Sequence, residues 1–152
     1  MQNTTTSGHI KKLPSRRNTQ SLCNNKGIRM KTMIIPDVHL RYFRAEVFIR
    51  EENPDKIVFL GDYFDNFWET IEDIEKTASW LSRSLKRKNR IHLLGNHDLP
   101  YMSPINGPGY SEDKQNIIDG YDIDWSKLKL FTWVDDWLCT HVNSFNLLQS
   151  TS

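Results

Sequence analysis

Two short apolar runs, Ile57-Val58-Phe59-Leu60 and Ile91-His92-Leu93-Leu94, constrain this chain most, because a long helix-like stretch lies between them. Brief, nearly continuous apolar runs are the pattern of strands covered on both faces of a parallel sheet. Parallel strands need a crossover, and residues 70–88 supply one. Ile71, Ile74, Ala78, Leu81 and Leu85 recur there at spacings of three and four, which predicts a helix with one apolar stripe laid on the sheet. Its acidic start (Glu69, Glu72, Asp73) and basic end (Arg83, Lys86, Arg87, Lys88) match the helix dipole, so the late basic run reads as a solvated helix end.

The same alternation extends in both directions. Strands are expected over residues 31–35, 56–60 and 90–94, and helices over 44–52 and 70–88. Strand and helix taking turns in this way indicate an α/β fold. Residues 99–115 hold Pro100, Pro104, Gly107, Pro108 and Gly109 and read as a long loop. Beyond it, Phe131-Thr132-Trp133-Val134 and Trp137-Leu138-Cys139-Thr140 flank Asp135-Asp136 and read as a hairpin.

Before Met30 the composition changes. Residues 1–29 carry Lys11, Lys12, Arg16, Arg17, Lys26 and Arg29, no Asp or Glu, and almost no large apolar side chains, so they are expected to be a disordered basic tail, with Met30 the natural start. Residues 30–152 form the expected domain, which is net acidic although the whole chain sums to +1. That balance gives no global reason to expect nucleic acid or an anionic membrane as partner. Cys23 and Cys139 lack C-x-x-C spacing, which excludes a disulfide framework or a thiolate zinc site and points to a cytoplasmic protein. No run approaches the length of a membrane span.

Each of the three early strands ends in a polar cluster: Asp37-Val38-His39, then Gly61-Asp62-Tyr63-Phe64-Asp65, then Gly95-Asn96-His97-Asp98. Strand ends of an open α/β sheet converge on one crevice. Carboxylate, imidazole and amide oxygen gathered there make a nitrogen and oxygen site for a divalent metal. The glycines are expected to let the chain turn sharply as it leaves each strand. A fourth cluster, Thr140-His141-Val142-Asn143, follows the last strand and adds an imidazole. His92, inside an apolar strand, reads as a satisfied core residue, and His9 as a tail residue without structural work. Phe67, Trp68, Tyr101 and Tyr110 read as exposed or packing aromatics rather than pocket lining.

D-x-H, G-D-x-x-D, G-N-H-D and a later T-H, in that order and each behind a strand, resemble the calcineurin-like metallophosphoesterases over roughly residues 33–143. The resemblance implies a partial metallophosphoesterase sandwich, a βαβαβ half plus a C-terminal hairpin. It implies phosphoester hydrolysis through a dinuclear metal site and a bridging hydroxide. The cofactors would be two divalent metal ions, manganese first, with iron, zinc or nickel as alternatives. Asp37 and His39 would bind the first metal, Asp62 would bridge both, and Asn96 and His141 would bind the second. His97 would contact the phosphate or protonate the leaving oxygen, Asp98 would orient it, and Asp65 would fix a ligand or the loop.

The chain departs from the pattern in two ways. The family's closing G-H-x-H adds an imidazole to each metal, and no histidine follows His141. The chain is therefore expected to be a fragment or a truncated product, weakly active or inactive by itself, with an inactive remnant keeping a partial metal site as the alternative function. Asn66 stands where the family's phosphoprotein phosphatases carry Arg, and G-N-H-D replaces their G-N-H-E. The chain thus resembles the prokaryotic and phage branch. Its expected partner is a phosphorylated substrate of open class, with nucleic acid as substrate only and no membrane.

Overall fold

The computed structural model describes residues 30–102, 107 and 109–141, together with the backbone of residues 9–12. In chain order the elements are β1 (His9–Lys12), β2 (Thr32–Ile35), α1 (Tyr42–Glu52), β3 (Lys56–Phe59), α2 (Ile71–Ser84), β4 (Arg90–His92), α3 (Leu99–Met102), α4 (Glu112–Asp119), a single 3₁₀ turn (Trp125–Lys127), β5 (Phe131–Val134) and β6 (Trp137–Thr140). The α/β class read from the sequence holds, and so does the C-terminal hairpin.

β2, β3 and β4 form a parallel sheet with β3 in the middle, Met33 level with Ile57 and Val58 level with Ile91. Successive side chains of β3 point to opposite faces. Ile57 and Phe59 join Tyr63, Phe64, Ile74, Ala78, Trp80 and Leu81 in a core under α1 and α2. Val58 and Leu60 face the other way and pack with Leu93, Val134 and Cys139. The second layer is the antiparallel sheet β1-β6-β5. A parallel bridge between Leu93 and Lys129 brings the segment entering β5 alongside β4.

Local chemistry explains where the helices start and stop. Thr70 accepts from Asp73 N while the Asp73 carboxylate accepts from Thr70 N, a reciprocal cap that starts α2. α2 ends at Ser84, four residues before the sequence-expected limit. Its stripe is also rotated: Ile71 is 65% exposed, while Thr77 and Trp80 are buried. The Trp80 indole N–H is drawn inward to Glu46, which also takes a two-pronged ion pair from Arg90. Asn53, in the left-handed conformation, closes α1 by donating its N–H to Ile49 O.

Two further expectations need correction. The stretch read as one long loop contains α3 and α4. Pro100 is tolerated in the first turn of α3 because no helical N–H is needed there, and Ser111 caps α4 by accepting from Lys114 N. Residues 9–12 were assigned to a disordered tail, yet their backbone pairs with β6, His9 level with Thr140. An exposed strand edge with unpaired N–H and C=O groups templates such pairing. The rest of the expected tail and residues 142–152, including Asn143, lie outside the described residues. Among the described residues no helix is long and apolar enough to cross a membrane.

Candidate metal centre

The site begins as backbone. After β2 and β3 the two outgoing turns are stitched together by Val38 N to Asp62 O at 3.1 Å, His39 N to Asp62 O at 2.7 Å and Leu40 N to Tyr63 O at 2.9 Å. His39, Asp62 and Asp65 all adopt left-handed backbone, with φ of 41°, 52° and 67°. Such conformations cost on the order of 1–3 kcal/mol each for residues with a Cβ, and persist where surrounding bonds over-determine them. The glycines act differently from one another. Gly61 has φ of +108°, which only glycine adopts readily, and a Cβ there would also lie 2.3 Å from Gly95 N, whereas Gly95 is required for space alone: a Cβ there would lie 2.0 Å from Asp62 Oδ1. The sequence reading of both as turn-makers therefore holds for Gly61 and is corrected for Gly95.

Onto this frame the side chains converge. Asp37, Asp62 and His141 each offer a ligand atom, all within 4.8 Å of one another. His141 Nε2 lies 3.1 Å from Asp62 Oδ2 and 3.7 Å from Asp37 Oδ1. Among the described residues, Asp37 Oδ1 and both His141 ring nitrogens are buried without a well-aligned hydrogen bond, although His141 Nε2 keeps its 3.1 Å ion-pair contact with Asp62. Buried polar atoms that make no hydrogen bond are costly, and a cation between them removes the cost. Two carboxylates and an imidazole, without sulfur, suit a borderline or hard divalent metal. His39 stands beside the group with Nε2 3.9 Å from Asp62 Oδ2. Its Nδ1 meets the Asp65 carbonyl at 2.7 Å and the Phe64 carbonyl at 3.2 Å; a carbonyl can only accept, so Nδ1 carries the proton and Nε2 keeps its lone pair for a metal.

Electrostatics mark the same spot. Burial, then the neighbouring Asp62 charge, raise the Asp37 carboxyl above its ordinary value. Burial, the largest single influence, pushes Asp62 upward, but His141 and His97 together outweigh it and leave Asp62 low. His141 is pushed down by burial and more than recovered by Asp62 and Asp37, so it is raised. Protons held this way are displaced when a cation arrives.

Asp98 does not orient His97. Its fully buried carboxylate accepts three backbone N–H groups, from Asp62 and Gly95 on Oδ2 and from Tyr63 on Oδ1, at 2.8–2.9 Å. It therefore fastens the end of β3 to the turn after β4. Burial, then the charge of Asp62, lift its pKa to about 7. The carboxylate that meets His97 is Asp65, whose Oδ2 lies 3.1 Å from Nδ1. That hydrogen bond, ahead of opposing burial, raises the His97 pKa. The His97 N–H also donates to Asp62 Oδ1 at 2.9 Å, and its ring stands edge-on to His39 with centroids 5.3 Å apart. Asn96 is half-buried in the turn between Gly95 and His97.

The Calcineurin-like phosphoesterase family model matches residues 30–150, most of the chain. The chain belongs to the calcineurin-like phosphoesterase family. Comparison with curated proteins gives no match. Family membership makes it a hydrolase-type domain of the metallophosphoesterase kind, and the cluster at Asp37, Asp62 and His141 is its candidate ligand group.

Three residues of this calcineurin-like phosphoesterase site escaped sequence reasoning. Lys114 Nζ lies 2.8 Å from Asp65 Oδ1 and 2.7 Å from Glu69 Oε1, and the Tyr101 hydroxyl donates to the same Asp65 oxygen at 2.7 Å. Lys114 and Tyr101 come from α4 and α3, far along the chain from Asp65, and no spacing rule connects them. Phe67 and Trp68, 98% and 88% exposed, are the exposed aromatics expected, while Tyr101 is buried.

Proposed function

We propose that this chain hydrolyses phosphoesters at a dinuclear site in which Asp37 and His39 hold one divalent cation, Asp62 contacts both, and Asn96 and His141 hold the second. The observation that supports the reading is the convergence of Asp37, Asp62 and His141, with three of their polar atoms buried and, among the described residues, lacking a well-aligned hydrogen bond. Bound there, divalent cations, manganese first, would polarise the phosphoryl oxygens and lower the pKa of an attacking water.

The remaining work falls to the protein's own groups. With Nδ1 held by Asp65, His97 presents Nε2 to the leaving oxygen and delivers a proton as the phosphorus–oxygen bond breaks. Asp65 keeps that ring oriented, and Asp98 keeps the Asp62 backbone in its left-handed conformation.

Manganese-dependent hydrolysis of p-nitrophenyl phosphate or bis(p-nitrophenyl) phosphate tests the reading. We expect release of p-nitrophenol, abolished by a chelator and lowered about 100-fold in Asp62→Asn. Equal rates in wild type and variant would overturn it. Cation binding without hydrolysis of either ester would instead support an inactive remnant that keeps the metal site.

A further inference from the structure

Lys114 is a confined cation beside the site. Its side chain is 11% exposed, with Nζ 2.8 Å from Asp65 Oδ1 and 2.7 Å from Glu69 Oε1. Burial lowers its pKa, but the two carboxylates more than offset this and hold it charged. Its charge is therefore already matched, which excludes a role gripping a substrate phosphate. Immobilising a long lysine and desolvating three charged groups is costly, and a buried ion cluster of this kind is weak evidence for stability. Its geometry points to positioning instead.

Asp65 has two carboxylate oxygens, and their partners are divided. Oδ1 takes Lys114 Nζ and the Tyr101 hydroxyl, which leaves Oδ2 to His97 Nδ1. Donors on Oδ1 from two directions fix the plane of the carboxylate and so fix where Oδ2 points. Glu69, the second partner of Lys114, accepts from Asn66 N at 3.1 Å, and the Asn66 amide donates to His39 O at 3.3 Å. One cation from α4 thus braces the turn that carries Asp65.

We propose that Lys114 is a positioning residue, which sets the orientation of the His97 ring through Asp65. The proposal rests on the reading of His97 as proton donor, yet its geometry can be tested without turnover. The experiment compares wild type, Lys114→Met and Lys114→Arg, all full length, by NMR of the imidazole nitrogens, manganese binding and steady-state kinetics. In Lys114→Met the His97 Nδ1 signal shifts and broadens, the His141 signals stay in place, and manganese affinity changes by less than about threefold, as for groups without shared partners. The kcat on aryl phosphate falls on the order of tenfold with KM unchanged, the size expected for a slightly misplaced catalytic group, and Lys114→Arg recovers part of the loss.

An unchanged His97 signal in folded Lys114→Met overturns the proposal. So does a shift of His97 and His141 together with a lowered melting temperature, since that is a general loosening. If Lys114→Met fails to fold, Tyr101→Phe removes one hydroxyl from the same Asp65 oxygen; it must move the His97 signal in the same sense, and no movement refutes the idea. Should wild type hydrolyse no phosphoester, the proposed function fails while the NMR arm still judges Lys114.

Discussion

His92 shows how one residue can be read correctly in kind and still hide its role. The sequence placed it in the core, and there it stacks on Phe59 with centroids 4.6 Å apart. Not visible beforehand was the hydrogen-bonded chain it completes: Arg90 donates to Ser84 Oγ, the Ser84 hydroxyl meets His92 Nε2 at 2.9 Å, His92 Nδ1 meets the Tyr63 hydroxyl at 2.9 Å, and that hydroxyl reaches Leu93 O. Burial, then the Arg90 charge, hold the His92 pKa down to about 3, against about 6.5 in an unfolded chain. The unfolded state therefore binds the proton more readily, and the stability contributed by neutral His92 is complete above about pH 6.5 and lost as pH falls toward 3. Urea unfolding at pH 7 and pH 5 should show wild type losing about 2 kcal/mol more than His92→Phe, which has no titrating ring. Equal losses would show that His92 does not titrate this way. The motif residues were legible because chemistry restricts which side chains can hold a cation. Lys114 and Tyr101 were not, because a lysine or tyrosine in a distant helix carries no mark of the carboxylate it will meet.

At the level of elements, β3 and α2 were the most legible, since an apolar run and an apolar stripe each reflect burial directly. Their limits were less so. The α2 stripe was expected to include Ile71, but the reciprocal cap at Thr70 and Asp73 sets the start of the helix and leaves Ile71 outside the core. Thr70→Ala should lower the unfolding free energy by about 1 kcal/mol in urea melts while manganese binding stays unchanged. No loss of stability would show that packing alone fixes this end. α3 and α4 were read as loop because Pro and Gly dominate the stretch around them. A proline in a first turn and a serine cap are compatible with helix, so composition misled where position within the turn mattered.

For the whole molecule, the alternation along β3 decides the architecture. Ile57 and Phe59 hold the helical layer and Val58 and Leu60 hold the second sheet, so the strand that ends in Asp62 is clamped from both faces. A rigid strand end is what allows the left-handed turn at Asp62 to persist. That β3 is covered on both faces was legible in the apolar runs, and the joining of β1 to β6 was not, since edge pairing depends on free backbone groups rather than on side-chain pattern. The arrangement predicts that a divalent cation sits where Asp37, Asp62 and His141 converge. Anomalous scattering from a crystal of the full chain soaked in manganese tests this most directly. The expected result is manganese density about 2.2 Å from a carboxylate oxygen of Asp62, with one peak also reaching a carboxylate oxygen of Asp37 and a second reaching a ring nitrogen of His141. A peak that touches none of the three, or no peak at a manganese concentration that supports hydrolysis, would contradict it.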